Sequence, residues 1–363
     1  MSKINCWLDC DPGHDDATMI LLATVLPQFN VLGFSASYGN STPSNTLKNL
    51  TSVLKILNRF GEIPIFKGAQ ESLMSDHTDT YIAKEIHGES GLDGTNLLPE
   101  PDISKVSSDC NAFLDYFEKT VLKHKNDIVF VSTGPLTSLA LIILHKPHLK
   151  KYIKYVTVMG GSFEQTGNRN ENRSAEFNIY VDPHAANCCF QDPILKDKIL
   201  LFPLDITHKA LATDEICSRI WDPSKHGSTN SGNPKVRQMF FELLQFFKKT
   251  YIQSQTAKFA LGPPVHDPLV LIPLFALFGW YDAETDCQLN FKKRELFTVE
   301  DDKSKDMGKI YVRKEYKVTK QSKISEGKGV TVFYDMNFDF FWNKIYEAFD
   351  ILDKEANKKR ENE

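Results

Sequence analysis

Asp9-Cys10-Asp11-Pro12-Gly13-His14-Asp15-Asp16 gathers four carboxylates within eight residues, directly after the apolar run Ile4-Asn5-Cys6-Trp7-Leu8. Alternation at a strand end puts Asp9 and Asp11 on one side. Asp15 and Asp16 follow a Pro-Gly turn and open a stretch that reads as an amphipathic helix, with Ala17, Ile20, Leu21, Ala23 and Thr24. Carboxylates ~5 Å apart repel by roughly 3 kcal/mol per pair at an effective dielectric of about 20, so a fold that gathers four needs a compensating cation. Oxygen-only ligands select a hard ion, Ca2+ or Mg2+, over zinc. Successive helix positions point about 100° apart, so Asp15 and Asp16 cannot aim equally at one spot, and one is expected to hold the metal while the other holds substrate. Helix-capping acids would account for Asp15 or Asp16 but not for Asp9 and Asp11 as well. An EF-hand starting at Asp9 is excluded, because Gly13 stands where an oxygen ligand belongs and His14 where the glycine belongs.

The elements that position these residues alternate between short apolar runs and helical patterns. Strands are expected at 31–37, 63–66, 128–132, 155–159 and 199–204, and helices near 16–26, 44–60, 111–123 and 136–145. Leu47, Leu50, Leu54 and Leu57 give the second helix an apolar face. This pattern predicts an α/β fold with a single large, mainly parallel, Rossmann-like sheet flanked by helices. Ligands sit at the carboxyl ends of the strands of such sheets, and the candidate motifs each fall just after a predicted strand. A long aromatic helix around 236–251 carries Phe240, Phe241, Phe246 and Phe247, a stripe that reads as core or subunit packing. Residues 285–336 look like a small C-terminal β-hairpin extension, and a last helix starts near Asp339. Residues 1–352 are expected to form one domain, followed by a charged, disordered tail at 353–363.

Composition narrows the class further. At 363 residues, 41% hydrophobic and 25% charged, the chain is long enough for one large α/β sheet with insertions, and its net charge of −4 makes no electrostatic case for nucleic acid or an anionic membrane. The seven cysteines are odd in number and contain no Cys-x-x-Cys pair, which reads as a reduced, intracellular protein without a zinc site or disulfide framework, expected in the cytoplasm and also in the nucleus. No signal peptide pattern precedes the first strand, and the apolar stretch at 269–280 is interrupted by Pro273 and too short to span a bilayer.

Further motifs join the acidic cluster. They are Tyr38-Gly39-Asn40, His87-Gly88 leading to Gly91-Leu92-Asp93-Gly94, and Ser132-Thr133-Gly134-Pro135-Leu136-Thr137. Met159-Gly160-Gly161, Gly167-Asn168, Ala175-Glu176-Phe177-Asn178 and Pro264-Val265-His266-Asp267-Pro268 complete the set. In this order they resemble the calcium-dependent nucleoside hydrolases of the inosine-uridine preferring family, and most closely its fungal, uridine-cleaving branch. The resemblance runs from about Ile4 to Phe349. It implies hydrolysis of a ribonucleoside, uridine by expectation, to ribose and free base by a calcium-bound water with inversion, in nucleoside salvage.

Carried over residue by residue, the resemblance makes Asp11, Asp16 and Asp267 side-chain calcium ligands, with the backbone carbonyl of Thr133. Asp11 doubles as general base. Asp15, Asn40 and Asn178 hold the ribose 2′- and 3′-hydroxyls, while Asn168, Glu176 and Met159 form the pocket for the 5′-hydroxyl. His266 protonates the leaving base, and His87 lies in a loop over it. Ser138 departs from the asparagine common in the family, and the stretch between Asn168 and Glu176 is longer than in several protozoal members.

The chemistry agrees with these roles. An N-glycosidic bond breaks through an oxocarbenium-like state, so a site must activate water and stabilise positive charge on the sugar, which clustered carboxylates do. The leaving base needs a proton, and a histidine with a reference pKa of about 6.5 is a suitable donor. A haloacid dehalogenase type phosphatase would also place Asp-x-Asp after a first strand, but no matching downstream lysine motif is evident. A non-catalytic calcium-dependent sugar binder would have no need of His266. The partners implied are a small ribonucleoside and further copies of the chain, as a homodimer or homotetramer, with no nucleic acid and no membrane.

Overall fold

The computed structural model describes residues 1–73, 82–107, 109, 111–164, 166–222, 233–255, 259–319 and 321–362. The chain runs β1 (Ile4–Cys10), α1 (His14–Val25), β2 (Phe29–Ala36), α2 (Pro43–Ile56), β3 (Ile65–Lys67), α3 (Lys84–His87), α4 (Ala112–Lys123) and β4 (Ile128–Ser132). It continues through α5 (Thr137–His145), β5 (Ile153–Met159), α6 (Phe177–Val181), α7 (Pro183–Phe190), β6 (Ile199–Phe202), α8 (Leu204–Thr207), α9 (Asp214–Ile220) and α10 (Pro234–Gln255). After a 3-10 turn at Asp267–Leu271 come α11 (Ile272–Leu277), β7 (Asn290–Thr298), β8 (Ile310–Tyr316), β9 (Val330–Asp335) and α12 (Phe338–Asn362).

The strands of the described residues form one sheet in the order β3-β2-β1-β4-β5-β6-β9-β7-β8. Pairing is parallel from β3 through β9, and only β7 runs antiparallel to its neighbours β9 and β8. Strands buried on both faces read as unbroken apolar runs, as in β4, which is buried at every position. Trp7 faces one layer with Phe113 and Phe117, while its neighbour Leu8 faces the other with α1. Reversal of strand order between β1 and β4 opens a crevice at the carboxyl ends, the place where this architecture binds ligands.

Several expectations change in the structure. The helix α1 is not amphipathic: every residue but Thr24 is buried, because it is wedged between the 3-10 turn, α10 and α12. The fifth predicted strand stops at Phe202, since Pro203 has no amide to donate and Leu204 already begins α8. The expected C-terminal hairpin strands extend the main sheet, with β9 inserted beside β6 and carrying β7 and β8 onto its edge. Residues 353–362, expected as a disordered tail, continue α12. Arg237 binds Asp350 and Asp353 at 2.8 Å, and Arg59 binds Glu355 at 2.8 Å, so the charges that suggested a solvated tail instead fasten the helix to α10 and to the end of α2.

The six described cysteines are free. Among the described residues no helix is long and apolar enough to cross a membrane.

Candidate active site

The carboxyl ends of β2, β4 and β5 deliver Asn40, Thr133 and Met159 to one crevice, and the end of β1 sets Asp11 in the floor beneath it. The acids do not all share a role. Asp9 accepts from the hydroxyls of Ser35 and Ser37, the latter at 3.1 Å, and burial lifts its pKa to about 7. Hydroxyl neighbours on the adjacent strand thus take up one of the four carboxylates without a cation.

The remaining three are organised differently. Asp16 caps its own helix by accepting from the Gly13 amide at 3.0 Å, and also accepts from Asn40 Nδ2 at 3.0 Å and Thr133 Oγ1 at 2.9 Å. Asp11 accepts the Asn40 amide on Oδ2 at 2.7 Å, whereas its Oδ1 is buried without a hydrogen-bond partner. Two glycines leave room for this carboxylate: a Cβ at Gly39 would meet Oδ2 at 2.1 Å, and one at Gly134 would meet Oδ1 at 2.7 Å. Carboxylate oxygens of Asp15, Asp16 and Asp267 all lie within 4.8 Å of one another. The expected ligand trio of Asp11, Asp16 and Asp267 therefore differs from the closest carboxylate group, in which Asp15 takes the place of Asp11. Burial, then the neighbouring charges, raises the pKa of Asp11, Asp15 and Asp267, that of Asp15 to about 8. Such a cluster stays ionised only with a cation among it. An orphaned carboxylate oxygen and an all-oxygen donor set fit a hard divalent ion.

A cavity of about 490 Å³, counted with its open mouth, lies above the acids. Asp15, Asn40, His87, Thr133, Met159, Asn168, Glu176, Asn178, His266 and Asp267 line it, whereas Asp11 and Asp16 are fully buried and do not. Asn178 donates through Nδ2 to the carbonyls of Thr133 at 2.8 Å and Met159 at 3.2 Å. This arrangement turns its Oδ1 away from those carbonyls. Glu176 caps α6, accepting from the amides of Asn178, Gly161 and Ile179, yet burial still lifts its pKa to about 7. It is a helix cap and a pocket residue at once. Asn168 enters with a buried Oδ1 that has no partner.

Histidines form the upper wall. His87 ends the short helix α3, buried at 5% exposure, with Nδ1 3.1 Å from His14 Nδ1. His14 bonds the Asp93 carbonyl at 2.8 Å and stacks on Phe246 and Phe247. The aromatic stripe of α10 thus partly serves the site, because Phe247 and Tyr251 also line the cavity. Burial, reinforced by His208, holds His266 well below the usual histidine range. Its Nδ1 lies 2.7 Å from Thr207 Oγ1 and its Nε2 2.7 Å from Tyr251 Oη. Sequence reasoning assigned neither hydroxyl. The available signal was the spacing of Phe247 and Tyr251, which puts both on one face of a helix.

The inosine-uridine preferring nucleoside hydrolase model matches residues 6–343. A uridine nucleosidase of Saccharomyces cerevisiae is 41% identical over 354 residues, covering 98% of this chain and 98% of its own. A pyrimidine-specific ribonucleoside hydrolase of Escherichia coli is 40% identical over 264 residues, 73% of this chain and 77% of its own. Among solved structures, a purine-preferring ribonucleoside hydrolase from Gardnerella vaginalis superposes with a TM-score of 0.77 at 23% identity, covering 96% of this chain and 99% of its own. A plant nucleoside hydrolase superposes at 0.75 and 24% identity, covering 95% and 98%. Those two likenesses support the fold. The sequence match spans the acidic strand end at one extreme and the His266-Asp267 pair near the other, and the chain accordingly belongs to the inosine-uridine preferring nucleoside hydrolase family.

Proposed function

We propose that the chain hydrolyses the N-glycosidic bond of uridine to ribose and uracil, with inversion, in nucleoside salvage. The observation that carries this reading is the juxtaposition of a buried carboxylate cluster with the Tyr251–His266 pair in one cavity. Preference for uridine is supported by the 41% identity to the yeast uridine nucleosidase over nearly the whole chain. In this reading Asp11, Asp16, Asp267 and the Thr133 carbonyl hold calcium, with Asp15 alongside. When bound, the ion neutralises these carboxylates and lowers the pKa of water at the site.

Asp11 has one oxygen fixed by the Asn40 amide and the other unpartnered. In this reading that second oxygen accepts the proton of the attacking water. Asp15, Asn40 and the Oδ1 of Asn178 hold the ribose diol, which fixes the sugar for attack on the face opposite the base. Glu176 and Asn168, beside Met159, hold the 5′-hydroxyl. Positive charge that develops on the sugar is stabilised by the acids beneath it. His266 and Tyr251 deliver a proton to the departing base, with His87 above the ring.

Reducing-sugar release over a panel of nucleosides tests the reading. Calcium-loaded protein should release ribose fastest from uridine and stop when the ion is chelated. Phosphate release from phosphomonoesters without ribose release, or binding without turnover, would overturn it.

A further inference from the structure

The residues between Asn168 and Glu176 form a tight loop that supplies one end of the cavity. Its two arms pair through Asn168 and Arg169, whose amides donate to the Ala175 carbonyl at 2.9 and 3.0 Å. A side chain at Gly167 would meet that carbonyl at 2.3 Å. Between the arms, Asn170 and Arg173 both adopt positive φ, 59° and 50°. Asparagine visits such angles readily but arginine seldom does, so the shape of the loop depends on its surroundings.

Those surroundings come from the β7–β8 turn, more than 120 residues away in sequence. Asp306 Oδ1 accepts from Ser174 Oγ at 2.9 Å and from Asn172 Nδ2 at 2.8 Å. The Met307 carbonyl accepts from Asn170 Nδ2 at 2.8 Å, and Lys305 pairs with Glu171 at 2.7 Å. Gly308, at φ 79°, lets the turn approach closely: a Cβ there would meet Tyr180 Cα at 2.7 Å and Ala175 Cβ at 3.1 Å. On its other side the loop reaches the cavity mouth, where Arg169 lies over the Phe177 ring at 4.8 Å and pairs with Glu85 of α3 at 2.5 Å. Lys309 Nζ and Tyr311 Oη, each 3.3 Å from Oδ2, fix the second oxygen of Asp306.

We propose that Asp306 is a positioning residue for the reaction: through Asn172 and Ser174 it sets the loop that places Asn168 and Glu176 at the 5′-hydroxyl end of the pocket. The C-terminal strands thereby act on the sugar site as well as completing the sheet. This rests on the reading of that end of the cavity as the 5′-hydroxyl subsite.

The test uses the calcium-loaded full chain with Asp306→Ala and Asp306→Asn, uridine and 5′-deoxyuridine, and hydrogen exchange of residues 167–175. Asp306→Ala should raise KM for uridine about tenfold with kcat nearly unchanged, as expected when a hydrogen bond to substrate is misplaced. For 5′-deoxyuridine, which lacks the group being positioned, its kcat/KM should fall by no more than about twofold. Amides of 167–175 should exchange faster in the same variant, and Asp306→Asn, which keeps an oxygen for both donors, should restore the wild-type KM. Equal losses on the two substrates, unchanged exchange in the loop, or an Asp306→Asn variant as impaired as Asp306→Ala would each overturn the proposal. Wild-type protein that ignores uridine would instead sink the functional reading, while the exchange measurement still judges the buttress.

Discussion

Tyr251 Oη lies 2.7 Å from His266 Nε2, and both groups are buried. With Thr207 Oγ1 2.7 Å from the other ring nitrogen, a neutral imidazole accepts a hydrogen bond from one hydroxyl and donates one to the other. In the tautomer with the hydrogen on Nε2, the ring donates to Tyr251 Oη and leaves the phenol hydrogen for a departing base. Because the three groups form one chain, Tyr251→Phe and His266→Ala should each slow uridine hydrolysis by about 100-fold, and the double variant should be little worse than either. On p-nitrophenyl riboside, whose phenolate leaves unaided, the losses should stay within about threefold. Multiplicative losses in the double variant, or equal losses on both substrates, would separate Tyr251 from His266 or move both into a structural role.

The sugar end gives a second prediction. Asn178 directs both amide hydrogens at the carbonyls of Thr133 and Met159, and Asp15 lies beside the carboxylates at the cavity floor. A substrate without the 2′-hydroxyl leaves buried acceptors unpaired, at about 1.5–3 kcal/mol for each charge-assisted bond. Steady-state comparison should therefore favour uridine over 2′-deoxyuridine by at least ~100-fold in kcat/KM. Comparable values would refute the proposed grip on the diol.

Much of this architecture is legible in the chain because strand period, helix period and glycine turns are local signals. β4 sits at the predicted 128–132, and α5 differs by one residue from its predicted start. Ten of the expected site residues line one cavity, and of these Asn40, Thr133 and Met159 stand at or just past the carboxyl ends of parallel strands, where such sheets bind ligands. What the sequence hides is pairing at a distance. Ser35 and Ser37 remove Asp9 from the acidic cluster through a neighbouring strand, and Tyr251 meets His266 across two elements. Charged residues past Leu352 look solvated until Arg237 and Arg59 are seen opposite them.

Buried acids make stability depend on pH in a defined direction. Glu176 and Asp9 are raised to about 7 and Asp15 to about 8, all chiefly by burial, against about 4 in an unfolded chain. The folded form then binds more protons than the unfolded form between about pH 4 and 8, so the ion-free protein loses stability as pH rises through that window. In the proposed reading calcium supplies positive charge at Asp11, Asp15, Asp16 and Asp267, whose carboxyls burial also pushes up, with mutual repulsion adding at Asp11, Asp15 and Asp267, so its effect should grow along the same axis. Thermal unfolding with chelator and with calcium should show a larger calcium-induced rise in Tm at pH 8 than at pH 5. A rise that is equal at both, or larger at pH 5, would contradict the assignment of the ion to Asp11, Asp16 and Asp267 with Asp15 alongside.

The central claim is that water, deprotonated by Asp11, displaces the base from the opposite face of the sugar. Proton NMR of uridine turnover by the calcium-loaded protein reads this directly, because the first ribose formed carries its anomeric configuration before mutarotation. The account predicts uracil and α-ribose appearing together in equal amounts, with Asp11→Asn folded but at least ~1,000-fold slower. Initial β-ribose, or an Asp11→Asn variant of near wild-type rate, would contradict it.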